Sequence, residues 1–242
     1  MTRPMTRATP TAFPVIEGMF TRILSSALLA GFCAGLVAAA LQLLFVQPVL
    51  LHAELYESGA LTHFGAAGAP PGAGGIELKR DALSVLFMAL TYVGHALILV
   101  AGMSVAAENR VAITPRAGIV WGVAGFAASQ LAPAFSLPPE VPGVAAADLA
   151  ARQVWWWGTV AAAGAALALI AFSRKPLFWA LAVALIVAPH LVGAPQPDSL
   201  TGPVPPEIAA LFAARALGVG MAAWAVLGLL CAWFWQRETA GG

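Results

Sequence analysis

Six side chains in the 242-residue chain carry most of its chemical capacity: His52, Glu54, Glu57, His95, Glu140 and His190. Imidazole nitrogen and carboxylate oxygen together suit divalent ions of the first transition row, with selectivity set by geometry. His52, Glu54 and Glu57 lie within one short stretch, HAELYE at 52–57. On a helical turn His52 also faces Tyr56, so an interfacial role competes with a ligand role. His95 stands in the middle of a long apolar run, where an ionisable group is costly and marks a functional candidate. Met88, Tyr92 and His95 are spaced i, i+4, i+7 and share one helix face. Such a stripe fits a path for a soft or borderline metal ion. It fits equally a helix contact in which neutral His95 bonds a backbone group or Gln42.

Glu140 belongs to LPPEVPG at 137–143, where Pro138, Pro139 and Pro142 stiffen the backbone that presents it. Asp148 and then RQVWWW at 152–157 follow. Arg152 is placed to pair with Glu140 or Asp148, and Trp155 to Trp157 read as an interfacial aromatic belt. His190 follows Pro189 in APHLVGAPQP at 188–197. A helix broken near a membrane surface exposes backbone carbonyls and dipole ends, a recurrent means of holding ions.

The elements that position these residues must be helices in a bilayer. Apolar residues make up 60% and charged residues 10% of the chain, and the mean hydropathy is +0.85. Soluble domains carry roughly 25% charged residues. Apolar runs at about 23–46, 83–106, 117–136, 153–173, 176–193 and 208–235 have the ~20-residue length that a hydrocarbon core demands. The expected fold is therefore an all-α, polytopic transmembrane bundle. Six spans are favoured. Five, with a re-entrant segment ending at Pro189, is the alternative. Residues 1–22 read as a cytoplasmic tail, 23–236 as the transmembrane domain, and 47–82 as a flexible outer loop containing GAAGAPPGAGG.

Charge placement tests the count. With the N-terminus inside, Arg3, Arg7, Arg22, Arg110, Arg116, Arg174, Lys175 and Arg237 are cytoplasmic; Lys79, Arg80, Arg152 and Arg215 are outside. The positive-inside rule thus favours six spans with both termini cytoplasmic. Glu54, Glu57, Glu77, Asp81, Glu140, Asp148, Asp198 and Glu207 fall outside, leaving that face a formal charge of −4. Such a surface concentrates cations. Gly31 and Gly35, like Gly118 and Gly122, are four apart and read as close helix packing. Cys33 and Cys231 read as two small buried side chains, without a partner at metal or redox spacing. The sequence contains no Walker loop, dinucleotide glycine fingerprint or H-E-x-x-H. Transport, if present, is then passive, gradient-driven or powered by a partner.

Taken in order, GFCAGLVAAALQLLFVQPVLLHAELYE, LPPEVPG, RQVWW and APHLVGAPQP resemble the CbtA family of cobalt transporter subunits over about residues 22–235. The resemblance implies a multi-pass protein of the bacterial inner membrane that imports cobalt, or nickel, for cobalamin synthesis. It implies no permanently bound cofactor, no enzymatic activity and no nucleic-acid partner. Its implied partners are membrane lipid and a small single-span subunit, CbtB, with a homo-oligomer also open. The matched motif positions are Gln47, Pro48, Glu54, Glu57, Pro139, Glu140, Arg152, Gln153, Pro189, His190, Gly193 and Pro195. Many members have a histidine-rich stretch in the first outer loop, whereas here that stretch reads THFGAAGAPPGAGGIELKR and has only His63. Two other classes compete: a non-transporting scaffold whose acidic outer loops bind a protein, and a membrane enzyme using His190 and Glu140 as an acid–base pair.

Overall fold

Alanine and glycine recur along the first apolar run at 27, 30, 31, 34, 35 and 38, and this seam decides where the first helix packs. The computed structural model describes residues 13–62 and 77–240. Helix α1 spans Phe13–Leu41, and α3 spans Leu78–Glu108. Ala27, Ala30, Ala34 and Ala38 are fully or almost fully buried. A Cβ on Gly31 would lie 2.5 Å from Val93 Cα, and one on Gly35 would lie 2.6 Å from Ala89 Cα. The backbones of α1 and α3 therefore touch. This is the kind of packing that drives association where lipid removes the hydrophobic incentive.

The same device joins α4 (Pro115–Phe126) to α8 (Pro206–Ala240). Gly118 and Gly122 press on the backbone of Gly228 and Trp224, and Gly125 lies under the Trp224 ring. Thr114 starts α4 by accepting a hydrogen bond from Ala117 N at 3.1 Å, with Pro115 in the first turn, where its missing N–H costs nothing. Helix α8 packs on α1, α3 and α4 and is the bundle's central post. Trp224, Leu227 and Cys231 of α8 share the main core with Val100 and Met103 of α3.

Two spans are interrupted by a single wide turn. Helix α1 passes through a π turn, Gln42–Val46, into α2, Gln47–Glu57. Helix α4 passes through Ala127–Leu131 into the short α5, Ala132–Ala134. In both, a proline stands two residues past the wide turn, Pro48 and Pro133. Proline lacks the N–H that would close the preceding α turn, and its ring crowds the carbonyl four residues back. One extra residue in the turn relieves that crowding. The Phe45 carbonyl in the first wide turn accepts from Arg215 Nη1 of α8 at 3.0 Å, so the disturbed backbone stays satisfied, as a bilayer requires.

Helices α6 (Leu149–Phe172) and α7 (Pro176–Val192) form a hairpin. Asp148 caps α6, its carboxylate accepting from Ala151 N at 2.9 Å. Gly193 ends α7 with φ 86°, a left-handed conformation that favours glycine. Helix α6 packs on the second wide turn and α5, while α7 packs mainly on α6, with Ala182 its one buried residue.

Among the described residues the protein is all-helical, and five helical segments are long and apolar enough to cross a membrane. Helix α7, with 17 residues, is about 26 Å long, a turn short of the ~30 Å hydrocarbon core. The apolar runs anticipated from sequence coincide with helices. Three details differ. Residues 47–57 and 78–82, expected within the outer loop, are helical: the first stretch continues α1, because the wide turn accommodates Pro48 without ending the helix, and the second opens α3. Helix α1 begins at Phe13, within the expected tail. Cys33 is exposed on the bundle surface rather than buried, since the small seam of α1 turns its other side inward.

Candidate functional site

Both wide turns face the same interior space. A chamber of about 430 Å³ lies between α1, α3, α8 and the α4–α6 segment. Gln42 enters from the first wide turn, and Ser129 and Gln130 from the second. Met88, Thr91, Tyr92 and His95 enter from α3, and Gly220 from α8. Widened turns displace the helix register on either side of them and recur at functional sites. Here each one brings a carboxamide to the chamber wall. Gly220 is needed for this, because a Cβ at that position would overlap the Gln130 carboxamide.

His95 is the one histidine on this wall. Its ring leans on Trp224 at 4.7 Å between centroids and meets Tyr92 edge-on at 5.7 Å. Its Nδ1 is buried and has no hydrogen-bond partner. A buried polar atom without a partner is uncommon and calls for a ligand, water or ion. The anticipated contact between His95 and Gln42 becomes a shared wall of one cavity, with no hydrogen bond between them.

Glu140 and Arg152 close the chamber at the end where α2 lies. Arg152 Nη2 meets Glu140 Oε2 at 2.5 Å, each side chain about 24% exposed. Of the two partners anticipated for Arg152, Glu140 is the one engaged; Asp148 caps α6 instead. Gln153, beside Arg152, is exposed, and Pro139 lines the chamber.

A second cavity of about 430 Å³ opens beside the chamber, lined by Gln42, Gln47, Glu54, Arg80, Met88 and Thr91 among others. Gln42, Met88 and Thr91 belong to both cavities and form the partition between a vestibule and the chamber. Gln47 ties α2 to α3 across the vestibule, its Nε2 donating to Asp81 Oδ1 at 2.9 Å. This gives the matched glutamine a structural role. Pro48→Ala is expected to let the first wide turn relax toward regular helix and swing Gln42 off the partition. The thermal midpoint should then rise by about 2–4 °C, as roughly 1 kcal/mol of helix strain is removed. Metal uptake should fall, and loss of both stability and uptake would contradict this account.

The other anticipated residues lie elsewhere. Glu54 is exposed on the vestibule wall. His52 is exposed on α2, its ring 5.5 Å from Tyr56. Glu57 packs its stem near Gly143, by a small apolar cap of Val49, Ala53, Val141, Val204 and Ile208. His190 Nδ1 is 2.9 Å from Ser136 Oγ, with its ring between Phe135 and Trp155. It lines a separate apolar groove of about 660 Å³. Trp155 Nε1 donates to the Pro189 carbonyl at 3.1 Å, so Pro189 and His190 lock α7 to α6. Pro195 follows in the connection to α8. His63 lies outside the described residues. Among the described residues, no three of the histidine, cysteine, aspartate and glutamate side chains gather where they could hold a metal ion. The acid–base pair of His190 and Glu140 is not assembled either, as each has a different partner and lines a different cavity.

Gln130, Ser129 and Trp224 were not singled out from sequence. The available signal was an amide within an apolar span a few residues before a proline, seen in both QLLFVQP and SQLAP.

No curated protein matches the chain, and no solved structure does. The CbtA family, described as a probable cobalt transporter subunit, matches residues 20–236. That match takes in both wide turns, the chamber, the vestibule and the α6–α7 hairpin, and the chain belongs to the CbtA family.

Proposed function

We propose that this protein is the channel-bearing subunit of a divalent metal-ion importer, with cobalt as its ion and nickel as a competing one, serving cobalamin synthesis. The observation that carries the reading is a chamber inside an otherwise apolar bundle that gathers His95, Met88, Gln42 and Gln130 on its walls. A scaffold has no need of such a chamber. In this reading the bacterial inner membrane holds six spans, with both termini cytoplasmic and α7 paired to α6 as the shortest. The acid-rich helix ends then face outward and raise the local cation concentration. An ion enters at Glu54, passes the partition of Gln42, Met88 and Thr91, and reaches His95. No cofactor stays bound. A small single-span subunit of the CbtB kind completes the transporter, and His52 and Glu57, on the exposed outer rim, are open to its tail.

Cobalt uptake into proteoliposomes, with and without the small subunit, tests the reading. His95→Ala is expected to reduce uptake about tenfold, the loss of one interaction worth ~1.4 kcal/mol. His190→Ala should leave the rate within about twofold, because His190 lines the outer groove and not the chamber. Folded protein with no cobalt or nickel flux in either preparation would overturn the proposal.

A further inference from the structure

We infer that the chamber recognises its cation with the water shell intact, by accepting hydrogen bonds from metal-bound water, so that its specific substrate is a hexahydrated divalent ion. This rests on the proposed function and adds the form in which the ion passes.

The donor set of the chamber is the first ground. Stripping water from a divalent cation requires several protein ligands in its place, and small hard ions resist it most. The chamber offers one imidazole and one thioether, His95 and Met88. Its one carboxylate, Glu140, is already engaged by Arg152. Dehydration therefore goes uncompensated here, whereas an ion that keeps its shell needs no inner ligands.

Polarity is the second ground. Water bound to a cation turns its lone pairs to the metal and presents only O–H donors outward, so the matching wall must be made of acceptors. Thr91 Oγ1 donates its proton to the Phe87 carbonyl at 2.8 Å. Ser129 Oγ donates its proton to the Gly125 carbonyl at 2.7 Å. Both hydroxyls are left with lone pairs and no free proton. The carboxamides of Gln42 and Gln130, one from each wide turn, supply further acceptor oxygens.

Size is the third ground. Six waters at about 30 Å³ each occupy roughly 180 Å³, and the chamber holds about 430 Å³. The hydrated ion fits with room for a few bridging waters, which carry hydrogen bonds almost as well as direct contacts. A bare ion would touch one side of the chamber only.

Hexaamminecobalt(III) is the probe. Its ammine ligands do not exchange, and they present N–H donors over a shell of similar size. On the purified protein it is expected to compete with cobalt(II) for binding and to inhibit uptake at a concentration within about tenfold of cobalt(II) itself. Bound cobalt(II) should keep the weak absorption of the octahedral aqua ion. Gln130→Leu and Gln42→Leu should each weaken the competition about tenfold, with thermal midpoints near that of the parent. Cobalt(II) binding with intense tetrahedral absorption, or uptake untouched by hexaamminecobalt(III), would overturn this inference and leave the transporter reading standing. Absence of binding and flux for every divalent ion would overturn both.

Discussion

Gly122→Leu is expected to destabilise the protein strongly, whereas Gly158→Leu is expected to be tolerated. At Gly122 a Cβ would run into the Trp224 carbonyl and lie 3.2 Å from Gly228 Cα, all of it backbone of α8. Backbone cannot rotate aside as a side chain can, so α4 and α8 must separate. Overpacking in a protein interior costs about 1–3 kcal/mol, and here the displaced element is the helix on which α1, α3 and α4 all lean. With the cost at the upper end, about 3 kcal/mol, and 2–4 °C per kcal/mol for a chain of this size, the thermal midpoint in detergent should fall by about 6–12 °C. Gly158 has nothing within 4 Å of a built Cβ, so its leucine projects from the bundle and the midpoint should stay within about 2 °C. Equal midpoints for the two variants would show that the α4–α8 contact does not hold the bundle together.

Arg152→Gln is the second large effect, and it has two parts. Removing the guanidinium leaves Glu140 as an unpaired, mostly buried carboxylate on the chamber wall. Breaking a fully buried pair costs about 3–5 kcal/mol. The quarter exposure of both side chains lowers the expected cost to roughly 1–3 kcal/mol, since solvent screens what it reaches. The same change turns Glu140 into a free ligand and gives the chamber a negative charge. Cobalt should therefore bind the variant about tenfold more tightly and restore part of the lost stability, by the mass action of a ligand that prefers the folded state. Adding Glu140→Gln should recover the midpoint and remove the metal response. Thermal unfolding of the parent, single and double variants with and without cobalt tests both parts. An Arg152→Gln midpoint equal to the parent, unmoved by cobalt, would show that the pair neither holds the loop nor shields the carboxylate.

Much of the architecture was legible because it depends on quantities internal to each helix. The apolar runs set the helix positions, and the small-residue spacing of Gly31 with Gly35 and of Gly118 with Gly122 foretold close backbone approach on those faces. The pairing of Arg152 with one of two nearby acids was readable because the partners lie within a short, proline-stiffened stretch. Pro48 was harder. Proline ordinarily signals a helix end, and only the wide turn, supported by Arg215 from α8, allows the helix to run on to Glu57.

The sequence by itself thus determined that the chain forms apolar helices long enough to span a bilayer, that its small residues form packing seams, and that eight of its eleven acids collect in one set of connections. Tertiary structure decided which polar groups meet. His95 and His190 look equivalent as histidines in or beside apolar runs, yet one faces a chamber with Gln42 and Gln130 while the other locks a peripheral hairpin. The reason is physical. In an apolar solvent a helix face toward lipid and one toward a neighbour have nearly the same hydropathy, so periodicity cannot tell them apart. Contacts between helices far apart in sequence, the glycine approaches among them, orient each face, and His95, not His190, comes to line the chamber.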